Sequence, residues 1–299
     1  MSIRNVLKWV GIVLGSLVGL LVLALLVVYL LGDAKLNKKY ELSVESITVS
    51  TDAQAIQRGE HLATAIMLCT RCHGENLAGQ VYFDVPGLLI IPSPNLTTGK
   101  GGVGQEYTDE DWLRAIRHGV GKDGRGLFLM PAQVFQTYSE EDTAALLAYV
   151  KQLPPVDNEL PSRSFEPIAK AMTGVGAMPP MPADLVDHAA PYGTVVAGVT
   201  ADYGNLLAGT CKECHGEKLN GTPFGPPGQE VMSPNLTTGG ELAAWTEVDF
   251  TQTMRTGVTP AGRPLNEEMP WKYYGKMTDD ELKAIWLYLR SLSSLKTGE

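Results

Sequence analysis

The sequence predicts an all-α protein, with one N-terminal transmembrane helix followed by two tandem copies of one helical domain. Three observations carry that reading. No charged residue occurs from Trp9 to Gly32. The chain beyond that run repeats itself at offsets of 138 to 142 residues. Both copies close with apolar residues at helical spacing.

The anchor comes first. Its 24 uncharged residues span about 36 Å as a helix, against a hydrocarbon core of ~30 Å. The apolar part of a cleaved signal peptide runs only ~7–15 residues. Residues 1–34 therefore read as an uncleaved anchor. Arg4 and Lys8 precede the run, and Lys35, Lys38 and Lys39 follow it, so charge alone does not orient it. Gly11, Gly15 and Gly19 fall four apart on one helix face, which would let the helix of another subunit approach closely.

Domain 1 covers residues 50–155 and domain 2 residues 200–297. "SPNLTTG" at Ser93 recurs identically at Ser233, "RHGVGKDGR" at Arg117 matches "RTGVTPAGR" at Arg255, and the dipeptide "MP" at Met130 recurs at Met269. "TDEDWLRAIRHG" and "TEVDFTQTMRTG" share a helix grammar of Thr cap, acidic first turn and Gly stop. "SEEDTAALLAYVKQL" is capped by Ser139, places Leu146, Tyr149, Val150 and Leu153 at helical spacing, and ends at Pro154. Residues 156–199 are rich in proline and glycine and read as a linker lying along a surface.

A chain of 299 residues with 44% hydrophobic content can bury two cores. A net charge of −9 and a pI near 5.1 exclude nucleic acid as a natural partner and suit a basic protein instead.

The four cysteines fall in "CTRCHG" (Cys69, Cys72) and "CKECHG" (Cys211, Cys214), each pair followed by a histidine, His73 or His215. A redox dithiol would want a βαβ setting. A four-cysteine zinc site would leave both histidines and the downstream repeats unexplained. C-x-x-C-H is instead the attachment pattern of a c-type haem. Two thiols join the vinyl groups on one edge of the macrocycle, and the next residue places an imidazole under the iron. Two such motifs predict two covalent haem c groups.

Each iron then needs a sixth ligand. Met130 and Met269 occupy matching places in the two copies, and both precede proline. Met254 competes in the second half, but it aligns with Ile116, which cannot ligate. His61, His118 and His188 have no counterpart in the other copy and read as surface or core residues.

With these residues in hand, each half resembles a class I cytochrome c, over about residues 55–155 and 200–297. The repeated "PNLTTG" and "MP" segments are similar to those of membrane-associated multihaem cytochromes c that serve periplasmic dehydrogenases and respiratory complexes. Such subunits usually carry three haems, where this chain has two motifs. The resemblance implies that Pro94 and Pro234 offer carbonyls to His73 and His215, with Asn95 and Asn235 holding those loops. It also brings Arg125 and Arg263 near haem propionates.

Haem attachment outside the cytoplasm would place residues 33–299 on the outer, periplasmic face of the cytoplasmic membrane. The implied function is single-electron transfer within a respiratory or photosynthetic complex, with other subunits as partners and no catalytic residue. The alternative is a dihaem peroxidase with one open iron. Leu127, Phe128 and Leu129 precede the first methionine, and Glu267 and Glu268 precede the second. The apolar segment is expected to pack on domain 2 or a membrane subunit, and the acidic one to meet a mobile basic protein.

Overall fold

The computed structural model describes residues 2–225 and 230–299. The first helix, α1 (Ile3–Leu36), is bare along its apolar length, and only Gly32 and Leu36 are buried. Among the described residues nothing lies within 4 Å of a Cβ at Gly11, Gly15 or Gly19, so no described element packs on that face.

Domain 1 starts with α2 (Ala53–His61), capped by Asp52, whose carboxylate accepts from the Ala55 amide at 2.8 Å. A π turn over Leu62–Ile66 leads to the short α3 (Cys69–His73). Then come α4 (Asp109–His118), α5 (Ala132–Phe135) and α6 (Glu140–Lys151). Domain 2 repeats the order with α9 (Ala201–Leu207), α10 (Gly209–His215), α11 (Glu247–Thr256), α12 (Trp271–Tyr274) and α13 (Asp279–Ser291). The caps repeat as well. Thr108 with Asp111 and Thr246 with Asp249 form capping boxes, and Gly119 and Gly257 close those helices.

The first and last helices of each domain cross at a glycine. A Cβ on Gly59 would lie 2.0 Å from the Ala145 carbonyl oxygen of α6, and one on Gly204 1.9 Å from that of Ala284 in α13. Any side chain there would force the helices apart. The flanking Leu62, Leu147, Leu207, Leu282 and Leu289 are almost fully buried, and the cores of the two domains join in one apolar cluster.

The all-α expectation needs one correction. Strands β1 (Gln80–Val85) and β2 (Leu89–Ser93) form an antiparallel hairpin, and β3 (Ser164–Phe165) pairs with β2. Among the described residues domain 2 has the short pair β4 (Pro223–Phe224) and β5 (Val231–Met232). The hairpin sequence is rich in β-branched and aromatic residues and turns at Gly87 with φ +76°. It lies between the C-x-x-C-H motif and the "SPNLTTG" segment, where the repeat offset falls from 142 to 140.

The linker is ordered, with α7 (Pro167–Gly174) and α8 (Pro182–Leu185) among its elements. It wraps domain 1. Gly119 lies beside Pro182 and Ala183, and Arg117 donates to the carbonyl of Ala190 at 3.3 Å. His118 is buried, and its Nδ1 meets Nδ1 of His188 at 3.1 Å.

That contact makes a pH prediction. Burial first, then His188 and the guanidiniums of Arg117 and Arg114, push the His118 imidazole down to about 4. In the unfolded chain the ordinary value of ~6.5 returns, so the unfolded state binds the proton first. Stability should fall as pH drops through about 6.5 and level off below about 4. Thermal melts of the wild type should show that loss, and His118→Asn should flatten the profile over the same range.

Candidate functional site

Each C-x-x-C-H motif is a single helical turn that presents both thiols on one face, with the histidine directly after. Gly74 and Gly216 end the two turns in the same conformation, φ 80° and ψ 160°, open only to glycine. His73 Nδ1 donates to the Pro94 carbonyl at 2.8 Å, and His215 Nδ1 donates to that of Pro234 at the same distance. This commits Nδ1 and leaves Nε2 as the metal-facing nitrogen. Burial lowers both imidazole pKa values, against the opposing pull of the carbonyls. Both rings are therefore neutral at pH 7, as a metal ligand requires.

Burial raises all four thiols, and pushes those of Cys69 and Cys211 up to about 12. These are not the exposed, depressed thiols of a reactive redox dithiol. Among the described residues no cluster of three or more His, Cys, Asp or Glu side chains could hold a metal ion. The donor set of each half is one imidazole and two thiols, and it fits covalent haem rather than zinc.

The "PNLTTG" loop is knitted the same way twice. Asn95 Oδ1 accepts from the amide and hydroxyl of Thr97 at 2.9 and 2.8 Å, while its Nδ2 donates to the Val156 carbonyl at 2.8 Å. Asn235 does the same with Thr237 and with the Leu295 carbonyl. Gly99 and Gly239 admit those same carbonyl-bearing strands, since a Cβ would come within 2.2 Å of Val156 O and 1.9 Å of Leu295 O. Thr97, Thr237 and these glycines were not singled out as site residues, although their identical repetition in the sequence marked them.

Met130 and Met269 each precede the proline that starts α5 or α12, and each is half-buried against the core. The amides of Ala132 and Trp271 bond back to their carbonyls, both at 2.8 Å. The residue before the first, Leu129, is held at φ +69°. Met254 is committed elsewhere, in the core on α11 beside Phe250, as Ile116 is on α4. Arg125 and Arg263 are exposed and paired with carboxylates, Asp123 at 2.6 Å and Glu241 at 2.8 Å.

The two sites meet across the domain boundary. Arg71, inside the first motif, donates to the Glu268 carbonyl at 3.1 Å, next to Met269. Gln133, just past Met130, donates to Glu213 inside the second motif at 3.0 Å. His61 Nε2 bonds Glu281 at 2.7 Å, and Arg58 reaches Asp142, Glu281 and Tyr203. The apolar segment before Met130 lies against this chain's own linker. Phe128 meets Phe165 edge-on at 5.2 Å, and Arg163 bonds the Gly126 carbonyl at 2.8 Å. Glu267 and Glu268 keep exposed side chains, but the backbone of Glu268 already serves domain 1.

Comparison with known proteins agrees with this duplication. The cytochrome c family profile matches residues 56–154 and again 201–293. The chain is 28% identical over 282 residues to the fructose dehydrogenase cytochrome subunit of Gluconobacter japonicus, covering 83% of this chain and 54% of that one. It is 29% identical over 283 residues to the cytochrome c subunit of a quinone-dependent alcohol dehydrogenase of Gluconacetobacter polyoxogenes, covering 82% and 57%. Over 118 residues it is 37% identical to the gluconate 2-dehydrogenase cytochrome c subunit of Pantoea cypripedii, covering 36% and 26%. The chain spans a little over half the length of the first two relatives.

The Asn knots supply a stability prediction. Asn95→Ala strands the buried Thr97 amide and leaves the Val156 carbonyl with the Thr97 hydroxyl alone, and should cost about 1–3 kcal/mol in denaturant unfolding. Asn95→Asp keeps the acceptor and should lose less. The same pair at Asn235 should behave alike.

Proposed function

Because the chain belongs to the cytochrome c family, we propose that it is a membrane-anchored, dihaem electron-transfer subunit of a respiratory dehydrogenase complex. The observation that carries this is the doubled site. Two histidines have Nδ1 fixed by a proline carbonyl, and each lies in a domain whose matching loop offers a methionine. His73 with Met130, and His215 with Met269, would hold the two irons, while Cys69, Cys72, Cys211 and Cys214 would carry the thioether links. When bound, each haem supplies a one-electron ferric–ferrous couple.

The protein's part is to set that couple and shield it. The Pro94 and Pro234 carbonyls orient the imidazoles and raise their basicity. A thioether opposite histidine raises the potential. With a histidine and a methionine both engaged, neither iron would offer a place for substrate, which separates this reading from a dihaem peroxidase. Arg71 and Gln133 hold each motif against the methionine loop of the other domain, which supports electron exchange within the chain. The exposed Arg125 and Arg263 stand in matching loops as candidates for propionate contacts, in competition with Asp123 and Glu241.

The relatives are cytochrome subunits of dehydrogenases, so a dehydrogenase subunit is the proposed electron donor. Covalent haem attachment outside the cytoplasm supports an N-terminus in the cytoplasm and residues 33–299 on the outer face. The acidic balance of the chain suits a basic acceptor, with Glu267 and Glu268 among the groups that would steer it.

Pyridine haemochrome analysis should give two haems per chain, with a low-spin spectrum and the near-infrared sulfur-to-iron band at both sites. Met130→Ala and Met269→Ala should each abolish that band at one site and lower its potential by a sizeable share of the ~0.8 V that axial ligation controls. One haem per chain would overturn the dihaem reading. A high-spin site in the wild type would instead favour the peroxidase.

A further inference from the structure

Helix α7 packs on the last turns of α1 through reciprocal glycines. A Cβ on Gly174 would lie 2.0 Å from the Val28 carbonyl oxygen, and one on Gly32 1.7 Å from that of Lys170. Gly174 thus lies at the level of Val28 and Lys170 at the level of Gly32. The two helices run antiparallel, and the C-terminal end of α7 points along α1 toward its apolar length.

Position along α1 can be read against a bilayer. Trp9 and Tyr29 are 20 residues apart, about 30 Å of helix, which matches the hydrocarbon core with an aromatic residue at each edge. Tyr29 then marks the outer boundary, and the tip of α7 reaches its level. From Ala171 to Ala183 the chain reads "AMTGVGAMPPMPA", with no charge. The charges that bracket this stretch are both tied to the foot of α1. Lys170 pairs with Asp33 at 2.7 Å and donates to the Tyr29 hydroxyl at 3.3 Å, while Asp184 pairs with Lys38 at 2.5 Å and accepts from the Tyr40 hydroxyl at 2.9 Å.

The tip is built for a medium poor in water. Val175 is 65% exposed, and Ala177, Pro179 and Pro180 are exposed too. The amides of Val175, Gly176 and Ala177 bond to Ala171, Thr173 and Met172 carbonyls. Pro179, Pro180 and Pro182 have no N–H to satisfy.

We propose that the uncharged finger Ala171–Ala183 seats in the headgroup–acyl boundary of the outer leaflet beside α1, with Val175 as a lipid-facing side chain. Domain 1 is then held on the membrane at two points, with Lys170–Asp33 and Asp184–Lys38 at the water line. The inference rests on α1 being the anchor.

The test uses the full-length holoprotein in lipid nanodiscs, with a nitroxide on Val175→Cys, on Leu20→Cys in mid-span, or on the exposed Val248→Cys of domain 2. The unsubstituted protein treated alike serves as the blank, and an unchanged haem spectrum confirms folding. Collision with oxygen and with a water-soluble nickel chelate is read by power saturation. The Val175 reporter should stay open to oxygen but collide with nickel about fivefold less than the Val248 reporter, as an interfacial depth demands. If Leu20 is lipid-shielded while Val175 matches Val248, the finger is in water and the proposal fails with the anchor intact. If Leu20 also meets nickel freely, the anchor reading itself fails. Shielding of Val175 from both agents would mean a protein partner covers it, which also overturns the proposal.

Discussion

Both sites depend on one hydrogen bond made twice, from a histidine Nδ1 to a proline carbonyl. It decides which ring nitrogen is left for a metal and how the ring is turned. The carbonyl is only as fixed as its loop, and the loop hangs by Asn95 or Asn235 from the irregular segment that follows the last helix of its domain. That helix is placed in turn by its glycine crossing with the first helix, at Gly59 and Gly204. A chain of contacts therefore runs from a missing Cβ in α2 or α9 to the orientation of an imidazole on the far side of the domain.

The two domains are joined by the same side chains that cap their helices. Glu281 closes the capping box of α13 and also receives His61 of domain 1. Burial works against its charge, but the hydrogen bonds from His61 and the Thr278 amide hold its carboxyl below the ordinary range. Arg58 bridges Asp142 of its own domain to Glu281 and Tyr203 of the other. With Arg71 and Gln133 reaching across near the motifs, the halves form one unit. If the two halves carry a haem each, as proposed, these contacts fix the separation of the two centres.

The linker ties that unit to α1. It covers the apolar segment before Met130 through Phe165 and Arg163, and it grips the foot of α1 through Gly174 and Lys170. Here domain 1, the linker and the end of α1 are packed together.

By itself the sequence determined the duplication, the two attachment motifs, the paired methionines and the helix caps. Each is a local pattern whose chemistry follows from residue type and spacing, so it survives without knowledge of what packs where. The proline partners of the histidines, and the asparagines that hold their loops, were legible through resemblance, because the repeat preserves "PNLTTG" letter for letter. What only the tertiary structure decided is which surfaces meet. The glycines of α1 at 11, 15 and 19 face nothing among the described residues, while Gly32, Gly59, Gly174 and Gly204 carry the close crossings. A glycine's spacing says where a Cβ is missing, but only the fold shows whether another backbone fills the space. The cover over Phe128 was hidden for the same reason, because Phe165 lies far along the chain and no periodicity in either segment encodes the pairing. The β1–β2 hairpin is local, with β-branched and aromatic residues on both sides of a turn at Gly87, so only its pairing with β3 needed the tertiary structure.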